Sequence, residues 1–216
     1  MAERLTFSGL DARRVADNLA RVRERIAATG ADPVGVEICA AIKYVPTDEL
    51  PALAEAGIEL VGENRAQDLL EKRGRMGEAF AWDFIGALQS RKVRDVAPNV
   101  RLIHSVASQS ALGKLEAHPA LEILIEVNVA GEESKAGIDP SELGDFIALS
   151  PVPVTGLMTM PPVVQRAEDS RRHFARLAEL AAEHGLERLS MGTSQDFEVA
   201  VAEGATIVRL GSVIYE

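Results

Sequence analysis

One cysteine, Cys39, stands among 216 residues, so the chain can build neither an intrachain disulfide nor a thiolate metal cluster. Cys39 is expected to pack as a small hydrophobe. Apolar runs approaching the roughly 20 residues that span a bilayer are absent, as is a basic-then-apolar pattern at the N-terminus. Positive charge is also scarce. There are 23 Lys plus Arg against 33 Asp plus Glu, a formal charge of −10, and the one basic stretch, "SRKVRDV", is short. That balance argues against nucleic acid or an anionic membrane as the main partner, and a cytoplasmic location is expected. The four histidines, His104, His118, His173 and His184, lack metal-ligand spacing. No Pro/Ser-rich linker or low-complexity tract marks a boundary, so a single domain over 1–216 is expected.

What the chain has is alternation. The apolar runs "VEICAAIKY", "IELVGEN", "WDFIGAL", "VRLIHSVAS", "LEILIEVNVA", "VPVTGLMTM", "LERLSMG" and "ATIVRLGSVIY" alternate with helical patterns at Thr47–Ala56, Arg65–Arg73, Pro140–Leu149, Ala167–His184 and Ser194–Ala202. Near-continuous apolar strands separated by helices imply parallel pairing with both faces covered. Eight such units predict a closed (β/α)8 barrel, with a doubly wound open sheet as the alternative. An amphipathic helix is expected from Ser8 to Thr29, with Ser8 and Asp11 as its capping box. Because the eighth run reaches nearly to Glu216, no helix is expected after it, and this first helix would close the ring instead.

In a barrel of this kind the chemistry gathers at the C-terminal ends of strands. Those ends carry Lys43, Asn64, Gln89, His104 and Ser105, Asn128, Met158, Ser190 and Gly192, then Arg209, Gly211 and Ser212. Lys43 raises the sharpest question. An ammonium buried at the end of an apolar run would lose hydration, and its pKa would fall. Alternation places it inward with Ala41 and Cys39, and turns Tyr44 away. The same parity turns Arg209 and Gly211 inward. Ser194 is predicted to cap a helix whose free amides would welcome an anion. Phosphate cradle, arginine and lysine together suit pyridoxal 5′-phosphate (PLP), whose aldehyde can form a Schiff base. A sugar-phosphate aldolase acting through a lysine Schiff base fits these residue types nearly as well.

The segments "AAIKYVP", "LVGEN", "WDFIGALQSRK", "IHSVAS", "VNVAGEESKAGI", "GLMTMPP" and "LSMGTSQDFEVAVAEGATIVRLGS" resemble, in order and spacing, the YggS/PROSC family of pyridoxal phosphate homeostasis proteins. The resemblance covers essentially the whole chain. It implies a barrel like the N-terminal domain of alanine racemase, with PLP held on Lys43. It further implies that Asn64 lines the site, that Ser194, Gly211 and Ser212 bind phosphate, and that Arg209 faces the ring nitrogen. The implied role is a PLP carrier with no established turnover, often monomeric, with apo PLP-dependent enzymes as partners. A small racemase is the competing reading, but it would need a second base on the opposite face of the cofactor, and the single domain expected here is not expected to supply one. The chain departs from the family's usual pattern at Ile42, Asp83, Arg91 and Thr193, all expected to affect the rim, and at Gln195 beside the phosphate. Glu132, Glu133 and Lys135 are expected to be solvated loop charges.

Overall fold

The computed structural model describes residues 6–131 and 136–216. Its eight parallel strands close into one ring in chain order. They are β1 (Glu37–Ala41), β2 (Leu60–Glu63), β3 (Ala81–Phe84), β4 (Leu102–Val106), β5 (Glu122–Glu126), β6 (Val154–Met158), β7 (Arg188–Ser190) and β8 (Ile207–Leu210). The ring closes where β1 pairs with β8, with Cys39 opposite Arg209. The expected barrel is thus the architecture, and the open sheet is excluded. Around it lie α1 (Ala12–Ala28), α2 (Leu50–Glu55), α3 (Ala66–Met76), α4 (Val93–Val96), α5 (Gln109–Leu112), α6 (Leu143–Ala148), α7 (Arg171–Glu183), α8 (Phe197–Ala202) and α9 (Ser212–Tyr215).

Strand side chains alternate between two cores, as period-two geometry requires. Outward residues such as Ile38, Trp82, Ile103, Ile125 and Val208 join the main core under the helices. Inward Cys39, Leu60, Leu102, Leu124, Met158 and Ile207 form a separate cluster inside the ring. Cys39 does pack there as a small hydrophobe, fully buried. Ile42 belongs to the outer core and is fully buried, so its departure from the family pattern does not touch the rim. The floor of the barrel is ionic. Glu37 accepts hydrogen bonds from Arg101 at 2.5 Å and Arg188 at 2.9 Å, and Arg188 also donates to Glu122 at 2.8 Å.

Two boundaries differ from the sequence expectation. Helix α1 starts at Ala12, capped by the Asp11 side chain, which accepts from Arg14 N at 2.8 Å; Ser8 lies before the cap. The eighth run is only half strand. Backbone dihedrals of −129° and −93° at Gly211 leave the extended region, and the "SVIY" that follows coils into α9. The first helix therefore covers the seam together with α9, not in place of it. Asn18 Nδ2 donates to Ile214 O at 2.8 Å, and Arg14 Nη2 to Tyr215 O at 3.3 Å.

Candidate functional site

A cavity of about 480 Å³ opens at the C-terminal ends of the strands, and Lys43, Asn64, Ser194, Arg209, Gly211 and Ser212 all line it. A larger hollow of about 690 Å³ lies elsewhere, among surface charges such as Glu168, Arg171 and Glu203. It holds none of these groups.

Lys43 does not sit in the buried strand end that the sequence suggested. Strand β1 stops at Ala41, the chain turns as Val45 N donates to Ile42 O at 3.0 Å, and Lys43 is exposed in the open cavity. Alternation lapses with the strand, so Tyr44 is not turned away. It lines the same cavity, and Lys43 Nζ stands 5.0 Å from its ring centroid.

Asn64 follows β2, its amide donating to Glu63 Oε1 at 2.7 Å. Its side-chain oxygen is buried and has no hydrogen-bond partner among the described residues. An orphaned acceptor of this kind is destabilising unless a ligand donates to it. Gly86 fixes this wall, because a Cβ there would fall 2.1 Å from the Asn64 carbonyl oxygen.

Ser194 is not a helix cap. Helix α8 begins at Phe197, and the turn before it is held by Asp196 Oδ1, which accepts from Thr193 N at 2.7 Å and Thr193 Oγ1 at 3.0 Å. Gly192 makes the turn possible with φ of +89°, and a Cβ there would fall 2.6 Å from Ala200 Cβ and 3.0 Å from Phe197 Cα. Ser194 Oγ instead accepts from Gly211 N at 3.0 Å and Val213 N at 3.4 Å. It fastens the loop after β7 to the loop after β8, and this joins the two halves of the expected cradle.

Arg209 points inward, as parity required. Its Nη1 donates to Ser190 O at 2.7 Å and Ser190 Oγ at 2.6 Å, and Nη2 to Thr159 O at 2.9 Å. Burial pulls the guanidinium below its ordinary pKa, but an arginine remains charged in proteins.

Two features escaped sequence reasoning. Glu126 ends β5 inside the cavity, and burial pushes its carboxyl pKa up against the opposing pull of Arg209. Glu122 and Glu126 share a face in an apolar run, a signal equivalent to the one that marks Lys43, but the run continues apolar toward Asn128 and hides Glu126 as the strand end. Asp83 and His104 meet inside the barrel, far from the rim expected for Asp83. His104 Nε2 lies 3.0 Å from Asp83 Oδ2, and His104 Nδ1 lies 2.8 Å from Ser190 Oγ. Arg101 clamps Asp83 through Nε at 3.1 Å and Nη2 at 2.8 Å. Glu132, Glu133 and Lys135 lie outside the described residues.

Burial drives the His104 pKa below its ordinary 6.5, outweighing the bond to Asp83 that raises it. The unfolded chain therefore takes up the proton first. Stability is complete above about pH 6.5 and declines below it, by up to about 1.4 kcal/mol per pH unit. Denaturant titrations from pH 8 to 5 should show this slope, and His104→Gln should lack it.

A Pyridoxal phosphate homeostasis protein of Aquifex aeolicus is 38% identical over 92% of this chain and 96% of its own. One from Pseudomonas aeruginosa is 36% identical over 94% of each. Among solved structures, PipY of Synechococcus elongatus with PLP bound is 30% identical and covers 94% of this chain and 100% of its own, with a TM-score of 0.80. Alanine racemase of Corynebacterium glutamicum, 16% identical with a TM-score of 0.71 over 95% of this chain and 61% of its own, shares the fold. No family model matches the chain.

Proposed function

From the premise that the chain belongs to the family of pyridoxal phosphate homeostasis proteins, we propose that it holds PLP in the cavity above the barrel and serves the homeostasis of that cofactor. The observation that carries this reading is the convergence of Lys43, Asn64, Ser194, Arg209, Gly211 and Ser212 on one cavity. When bound, PLP supplies an aldehyde that can condense with an amine, and Lys43 is the amine placed to meet it. The Ser194 hydroxyl proton and the backbone at Ser212 would hold the phosphate, with Gly211, whose amide donates to Ser194 Oγ, leaving room for its approach. A Cβ at Gly211 would stand in that cradle, with the Ala41 carbonyl oxygen at 3.9 Å. Asn64 would present its orphaned oxygen to the cofactor, and Arg209 would meet the ring nitrogen as a cation with no proton to yield readily.

Such an arrangement retains a cofactor more readily than it turns over a substrate. Racemisation needs bases on both faces of the ring. Tyr44 shares the turn of Lys43 and stands beside it, with Lys43 Nζ 5.0 Å from its ring centroid, so the two do not offer bases from separate walls of the cavity. The function is that of a carrier, in one domain spanning the chain, monomeric, in the cytoplasm, with apo PLP-dependent enzymes as recipients. Among the described residues no helix is long and apolar enough to cross a membrane.

Titrating the apo-protein with PLP should raise a near-visible band at stoichiometric uptake; a protein that stays colourless overturns the reading. Alanine enantiomers incubated with the loaded protein should give no multiple-turnover racemisation. Ser194→Ala should weaken PLP binding by about 1 kcal/mol, roughly fivefold, and leave the binding of phosphate-free pyridoxal unchanged.

A further inference from the structure

Arg209 does not stand alone at the cavity floor. Its Nη1 donates to Ser190 Oγ at 2.6 Å, which obliges the serine to direct its own proton elsewhere. His104 Nδ1 lies 2.8 Å from that oxygen, and with Nδ1 accepting, the ring proton belongs on Nε2. That proton meets Asp83 Oδ2 at 3.0 Å. Asp83 is held ionised by Arg101. Each link thus fixes the donor sense of the next, from Arg209 through Ser190 and His104 to Asp83. All four residues are buried, with His104, Asp83 and Ser190 at 0% exposure. Protonating His104 would make Nδ1 a donor and deprive the Ser190 proton of this acceptor. The charged groups that act on the imidazole are Asp83, Arg209 and Arg101, and its burial keeps it neutral.

We propose that Asp83, His104 and Ser190 form a buried positioning relay for Arg209, which fixes the orientation and donor strength of the guanidinium toward a ring acceptor in the cavity. His104 is the pivotal positioning residue. Its neutral ring is the one link able both to accept from Ser190 and to donate to Asp83. The relay rests on the reading that Arg209 faces the PLP ring nitrogen. It makes recognition of that nitrogen a property of four strands, β3, β4, β7 and β8, and not of Arg209 alone.

The test compares dissociation constants for PLP and for its carbocyclic analogue, which has a benzene ring in place of the pyridine. Wild-type protein should prefer PLP, and Arg209→Met should lose the preference. His104→Leu should lower the ratio of the two constants by about tenfold, in the same direction as Arg209→Met. His104→Gln, which can still accept at one atom and donate at another, should restore it. A structural role alone would weaken both ligands equally, so an unchanged ratio in His104→Leu overturns the relay. If Arg209→Met also leaves the ratio unchanged, the placement of Arg209 against the ring has failed instead. Should His104→Leu not fold, nitrogen-15 NMR of the wild-type apo-protein decides. A neutral Nε2-protonated imidazole at pH 7 upholds the relay, and an Nδ1-protonated or doubly protonated ring refutes it.

Discussion

Replacing Lys43 by alanine is expected to abolish covalent uptake of PLP. The near-visible band should vanish, and borohydride treatment followed by peptide mapping should find no cofactor fixed to the chain. The geometry singles out this amine. Lys72 is buried in an ion pair with Glu63, whereas Lys43 is exposed in the cavity beside Asn64 and Arg209. The cradle of Ser194, Gly211 and Ser212 is untouched by the substitution, so PLP should still bind without attachment, at least about a hundredfold more weakly, or about 3 kcal/mol. Folding should be unaffected, since an exposed side chain is removed. Attachment that persists in Lys43→Ala would place the reactive amine elsewhere.

The second large effect concerns Lys72, which does not line the cavity. Its ammonium is buried, donating to Glu63 Oε2 at 2.6 Å and to the carbonyl of Ile42 at 2.7 Å. The other Glu63 oxygen accepts from the Asn64 amide. One pair thus ties the residue before Lys43 to the residue after Glu63 and braces two walls of the cavity from behind. Lys72→Met leaves the Glu63 carboxylate buried without its partner and should destabilise the protein by about 3–5 kcal/mol. Adding Glu63→Leu should recover part of that loss. Recovery stays incomplete because the Asn64 amide loses its acceptor and Ile42 O keeps only the bond from Val45 N. Urea unfolding of the single and double variants measures both terms, and a loss below about 1 kcal/mol in Lys72→Met would mean that solvent reaches the carboxylate.

The ring of strands was legible because each run alternates between two apolar environments, and that pattern survives in short strands. The cavity was legible for a related reason: strand ends point where parity sends them, and Arg209 obeys. Errors arose where the chain leaves regular structure. Tyr44 lies past the end of β1, so parity no longer governs it. Ser194 precedes α8 by a turn that Asp196 and Thr193 build, and a serine before a helical pattern resembles a cap whichever residue does the capping. Asp83, His104 and Ser190 were opaque for a different reason. Their partners are 21 and 86 residues apart in the chain, so no single run records that the polar groups satisfy one another. Lys72 reads as a surface lysine on an amphipathic helix until Glu63 is seen beneath it.

The Glu37 carboxylate on the barrel floor holds Arg101, 64 residues along the chain, and Arg188, 151 residues along. Asn18 reaches Ile214 across 196 residues. Contacts of such sequence separation form late, after the entropy of closing long loops has been overcome. Until β8 arrives from the ribosome, β1 has no neighbour on one side, and the nascent chain presents two unpaired strand edges. The seam that completes the cavity is also where the ring gains its last paired edge, so a chain that stops short of β8 would leave the cavity open and two strand edges exposed to self-association.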